Sequence, residues 1–96
     1  EYALEHARDD GVRQMARLRL AGLLFEQKDL PGALKQLEAP FEPAFQGLAA
    51  QLKGDILADQ GKVADAREAY KLALEKLGDK SPIKPLVEIR LDGLGG

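Results

Sequence analysis

The 96 residues carry 14 basic and 16 acidic side chains, a net charge of -2, which leaves room for one small domain and no concentrated basic face for nucleic acid. Cysteine is absent, so disulfides, thiolate zinc sites and thiol chemistry are excluded, and no apolar run approaches the ~20 residues that span a bilayer. Ala, Leu, Glu, Lys, Gln and Arg dominate and Thr is absent, a bias that favours helix over strand.

The chain starts at Glu1, without Met and already in helix-like sequence, with no visible signal peptide. This reads as an excised domain of a longer protein, and Tyr2 to Arg8 as the remnant of a preceding helix. Helical spacing of Met15, Leu18, Leu20, Leu23 and Leu24 predicts a helix over about Val12–Gln27. Lys28-Asp29 marks a turn. A second helix is predicted from Leu30 or Pro31 to Glu38, with Pro31 in the first turn, where its missing N–H goes unused. Ala39-Pro40-Phe41-Glu42-Pro43 then breaks the chain. A third helix follows over about Ala44–Gln60, with Gly61 as its C′ residue, and a fourth over Val63–Leu77. After Gly78-Asp79-Lys80, Ser81 is predicted as N-cap and Pro82 as N1 of a last helix running to Leu91, which turns Ile83, Leu86 and Val87 inward. Gly93 to Gly96 should fray.

A period of 33 residues underlies this order. It pairs Ala16 with Ala49, Ala21 with Gly54, Leu23 with Ile56, Leu24 with Leu57, Leu30 with Val63, Ala33 with Ala66 and Leu37 with Tyr70. Small residues match small ones and large apolar residues match large ones. Helical hairpins repeating near 34 residues are the signature of tetratricopeptide repeats. The fold class is therefore all-α: a solenoid of tetratricopeptide-like hairpins, with repeat one over about 12–40, repeat two over about 44–78 and a capping helix over 81–92. Ala21, Gly54, Ala33 and Ala66 are expected where paired helices approach at ~8–10 Å. Two repeats are few for a solenoid, so upstream helices, the capping helix or self-association must cover its ends.

Several blocks carry a family resemblance: Ala16-Arg17-Leu18-Arg19-Leu20-Ala21, Leu52-Lys53-Gly54-Asp55-Ile56-Leu57, Ala66-Arg67-Glu68-Ala69-Tyr70 and Pro85-Leu86-Val87-Glu88-Ile89-Arg90-Leu91-Asp92-Gly93-Leu94. Together they resemble the C-terminal part of the YfgM-like family, the tetratricopeptide-like ancillary subunits of the bacterial Sec translocon. The first repeat departs from the repeat consensus at Arg17 and Pro40. The resemblance implies a periplasmic domain held at the inner membrane by one N-terminal transmembrane helix, outside this chain. It also implies association with the SecYEG channel and with a periplasmic, membrane-anchored chaperone resembling a peptidyl-prolyl isomerase.

Catalytic residue types are sparse, and neither an enzyme nor a cofactor is expected. His6 is the single imidazole, and with only Glu5, Asp9 and Asp10 nearby it is expected to be structural or exposed. Asp55 and Asp59, four apart on one helix face, raise an acid–base reading, but a solvated acidic face is the commoner outcome. Arg13, Arg17 and Arg19 read as a charged helix face rather than an anion site.

Stacked hairpins make a concave surface lined by the first helix of each pair. By repeat phase it should carry Leu18, Gly22, Phe25 and Glu26 from the first hairpin and Gln51, Asp55, Ala58 and Asp59 from the second. Phe25 stands either as an aromatic anchor in this groove or as core beneath the N-terminal segment. Glu26, Asp55 and Asp59 predict an acidic groove, unlike the Lys, Arg and Asn of clamps that hold a C-terminal carboxylate. Its partners would be proteins offering basic or amphipathic segments, not nucleic acid or small molecules. A translocon-associated scaffold and a cytoplasmic tetratricopeptide adaptor share this fold and differ in location.

Overall fold

A computed structural model describes the backbone of residues 2–94 and the side chains of residues 10–94. It contains five helices and, among the described residues, no strand: α1 (Tyr2–Glu26), α2 (Leu30–Gln36), α3 (Pro43–Asp59), α4 (Val63–Lys76) and α5 (Lys84–Gly93). α1 pairs with α2, α3 pairs with α4 over the most extensive interface, and α5 packs on α4. The extents are 50 × 31 × 17 Å.

The two hairpins turn in the same way. Lys28 (φ +66°) and Gly61 (φ +80°) both adopt the left-handed conformation just beyond a helix end. After α1, the N–H groups of Lys28 and Asp29 donate to the carbonyls of Phe25 and Leu24. After α3, those of Gly61 and Lys62 donate to Ala58 and Leu57. These are the two hydrogen bonds of a Schellman cap, repeated 33 residues later with only the second copy using the residue that favours it.

The core is built from small side chains. Ala21, Ala33, Ala66 and Ala73 are fully buried, and Gly47 and Gly54 face the fourth helix. A Cβ on Gly54 would fall 2.6 Å from the Tyr70 ring, and one on Gly47 would fall 2.6 Å from Leu77 Cδ2. The 33-residue pairs Ala21/Gly54 and Ala33/Ala66 are all buried, whereas Ala16 is exposed although its partner Ala49 is buried.

Three sequence expectations are revised. Tyr2 to Arg8 is not a separate remnant but is continuous with α1, because Gly11 weakens a helix by only ~1 kcal/mol and does not interrupt its hydrogen bonds. The side chain of His6 lies outside the described residues. The last helix begins at Lys84, not Ser81. Were Ser81 the N-cap, its carbonyl would require the N–H of residue 85, and Pro85 has none. The Ser81 carbonyl instead accepts from Lys84 N at 3.2 Å, and Pro85 falls in the first turn. Within α5 the inward face is Val87, with Leu91 and Leu94 beside it, while Leu86 is exposed. Lys84 Nζ reaches Asp79 at 2.7 Å across this turn and holds its carboxyl below the usual carboxylate range.

The break between the hairpins is tied to α1. The N–H of Glu42, the N-cap of α3, donates to Oε1 of Gln14 at 2.7 Å, and Gln14 is only 4% exposed. Arg17 donates to the carbonyls of Ala39 (3.1 Å) and Pro40 (2.9 Å), and its guanidinium lies 4.1 Å from the centre of the Phe41 ring. Arg17 is thus an internal strut, not part of a solvated basic face.

Candidate protein-binding surface

α1 and α3 run side by side and form the face expected to be concave. The eight residues expected there divide into groups. Leu18 and Gln51 lie in a groove between α1 and α3, together with Met15, Arg19, Phe45, Leu48 and Leu52, around about 350 Å³ of open space. Met15 and Leu48 are 47% and 41% exposed, so the groove presents apolar surface to solvent. Phe25, Asp55, Ala58 and Asp59 line a second, more polar depression at the other end of the helices. Gly22 and Glu26 line neither. Phe25 is half-buried and lies at the rim of the polar depression, with Lys28 Nζ 6.0 Å from its ring centre.

Tyr70 of α4 and Arg90 of α5 complete the polar depression, and neither is on the face assigned from sequence. The Asp55 carboxylate accepts from Gln51 Nε2, from the Tyr70 hydroxyl and from Arg90 Nη1. Its side chain is 11% exposed and that of Arg90 39%. Burial, reinforced by the hydrogen bond to Asp55 and by its negative charge, pushes the Tyr70 hydroxyl well above its usual value. Asp59 is paired with Lys28 at 3.4 Å.

The expected acidic groove is corrected accordingly. Asp55 spends its charge on Arg90 and Asp59 on Lys28, while Arg19 borders the apolar groove. Of the three acids only Glu26 lacks an ion pair among the described residues. Periodicity could place Asp55 on a face, but it could not reveal Arg90, which is 35 residues away and on another helix. The one sequence signal was the terminal Ile89-Arg90-Leu91-Asp92 block. Among the described residues, no group of three His, Cys, Asp or Glu is placed to hold a metal ion, and no helix is long and apolar enough to cross a membrane.

With this geometry in place, the model of the tetratricopeptide repeat-like domain matches residues 1–96. The chain belongs to that family. It is 34% identical over 94 residues to a Neisseria gonorrhoeae protein named ancillary SecYEG translocon subunit. It is 30% identical over 94 residues to the protein of the same name from Aggregatibacter actinomycetemcomitans. Each match covers 98% of this chain and 45% of the relative, so the chain spans about half the length of the curated relatives it matches. No solved structure matches. The resemblance carried by the sequence blocks and these relatives agree.

Proposed function

We propose that this tetratricopeptide-like domain is a non-catalytic protein-interaction module of a Sec translocon ancillary subunit, acting on the periplasmic side of the bacterial inner membrane. The observation that carries the binding mode is the apolar groove between α1 and α3, where Met15, Leu18, Phe45 and Leu48 stand together and two of them are substantially exposed. Large apolar side chains grouped on a surface are costly unless they meet a partner. Their helical walls suit an apolar or amphipathic segment of another protein. The relatives' names support the translocon as the assembly, and the link to a periplasmic chaperone belongs to the same reading. The whole chain is read as one domain, two hairpins closed by α5.

The test is co-purification from detergent-solubilised membranes with the full-length protein and its M15E/L48E variant. Both positions are exposed, so the fold is kept while the groove loses its apolar character. Translocon or chaperone subunits that co-purify with the parent and not with the variant support the proposal. Unchanged co-purification overturns the groove assignment, and recovery of only soluble cytoplasmic partners overturns the location.

A further inference from the structure

The 33-residue period sets Gln14 against Gly47 and Arg17 against Ala50. In the second hairpin both positions are small and buried: Gly47 lies under Leu77, and Ala50 packs with Tyr70 and Ala73 of α4. In the first hairpin α2 ends at Gln36 after 7 residues, where α4 runs for 14. The chain continues there as the segment 37–42, and two long polar side chains of α1 hold it. Gln14 is fixed through both atoms of its amide. Its Nε2 donates to Asp10 Oδ2 at 3.1 Å, and since an ionised carboxylate only accepts, Oε1 is left to accept the N–H of Glu42 at 2.7 Å. The Glu42 carbonyl in turn accepts from Phe45 N at 2.8 Å. A single residue thus links Gln14 to Phe45, which lines the α1–α3 groove. Arg17, one turn further along α1, donates to the carbonyls of Ala39 and Pro40 and lies over the Phe41 ring, and the Phe41 carbonyl accepts from Gln46 Nε2 of α3 at 3.0 Å.

We propose that Gln14 and Arg17 are positioning residues for the groove: they set the separation and register of its two helical walls, and so its fit to a partner segment, without lining it themselves. This inference rests on the groove reading above. α1 meets α3 over a far smaller interface than α3 meets α4, and about 350 Å³ stands open between Met15 and Leu18 on one side and Phe45 and Leu48 on the other. An open groove has no interlocking side chains to fix its width, so the width falls to the tether at its end. A buried amide held at both atoms and a planar guanidinium fork each permit one geometry. The repeat needs only small residues at these two positions, and the first hairpin spends its largest polar side chains there.

The test reads geometry and capture separately. The chain has no cysteine, so V12C/E68C places two spin labels at exposed positions of α1 and α4, outside the groove, and pulsed dipolar spectroscopy of the full chain measures the distance between the hairpins. Adding Q14M/R17M should shift or broaden that distance by about 2 Å or more while helical circular dichroism is kept. R17K, which keeps a cation but not the fork, should fall between parent and double variant. In the full-length protein, Q14M/R17M should lower co-purification from solubilised membranes to the level of M15E/L48E. If the double variant loses its helical signal, Q14M and R17M singly carry the same measurements. A lower melting temperature with an unchanged distance in the folded protein means that the two residues only stabilise the fold, and overturns the proposal whatever becomes of the groove. A shifted distance with undiminished co-purification, while M15E/L48E loses its partners, overturns it as well. Undiminished co-purification of M15E/L48E overturns the groove reading, and the binding role of Gln14 and Arg17 falls with it.

Discussion

Asp55 in the middle of α3 accepts a hydrogen bond from Arg90 on the last helix, and the same carboxylate accepts the Tyr70 hydroxyl. One acidic side chain thereby joins α3, α4 and α5. Removing it leaves three donors, on Gln51, Tyr70 and Arg90, without their acceptor, whereas removing Arg90 leaves an acid still held by Tyr70 and Gln51. Asp55→Ala should cost about 2–3 kcal/mol, because hydrogen bonds to charged groups carry the larger penalties. Arg90→Ala, at a 39% exposed side chain, should cost about 1 kcal/mol. Urea unfolding of both single variants and the double variant measures the coupling. Strictly additive losses would show that the pair contributes nothing to holding α5.

Gly54 is the second test of that junction. Its neighbour Tyr70 is buried, and the hydroxyl is anchored on Asp55, so the ring cannot swing aside for a new methyl group. Gly54→Ala should destabilise by about 1–3 kcal/mol through overpacking, despite the better helix propensity of Ala. Tyr70→Phe, which keeps the ring and removes only the hydroxyl, should cost less. A Gly54→Ala variant as stable as the parent would mean that the helices can separate freely at this crossing.

The repeated helix cap yields a stabilising prediction. Lys28 holds a left-handed conformation at the position where Gly61 stands in the second hairpin. Lys28→Gly should raise stability by about 0.5–1 kcal/mol, because it removes the Cβ clash of that conformation. The lost ion pair to Asp59 is exposed and contributes little. For a domain of this size the gain corresponds to about 2–8 °C in melting temperature. Gly61→Ala should move the melting temperature the opposite way, and a change of the same sign in both variants would refute the cap.

Tyr70 also predicts a pH dependence. Burial raises its folded-state value above the unfolded value of about 10, so the folded state keeps its proton after the unfolded state has lost it. The contribution to stability is therefore complete below about pH 10 and declines as the pH rises beyond it. In a Tyr2→Phe variant, phenolate absorbance should stay silent through the ordinary tyrosine range and appear only with loss of helical signal. An ordinary titration curve in a still helical protein would contradict the burial of this hydroxyl.

The 33-residue period was sufficient to place the hairpins, their turns and the small residues at the crossings, because helix formation and close packing depend on spacing along one chain. The same reasoning placed Asp55 and Asp59 on one face of α3 but assigned them an unneutralised charge. The cations that meet them come from Lys28 and Arg90, which no local spacing links to them. Repeat phase puts Leu18 and Gln51 on the facing sides of α1 and α3, whereas Met15, Phe45 and Leu48, which line the same groove, depend on how α1 rotates against α3. The start of α5 turned on one missing N–H at Pro85, a signal present in the sequence whose consequence appears only when the first intrahelical bond is counted.

Side-chain size and periodicity set an all-α chain of paired helices, its repeat length and its glycine and alanine contact points, and the matching sequence blocks carry its kinship. Contacts between the helices set which charges are cancelled and which apolar faces stay open. Those features arise between helices far apart in sequence, where relative rotation and separation set the contacts and no repeat phase specifies them.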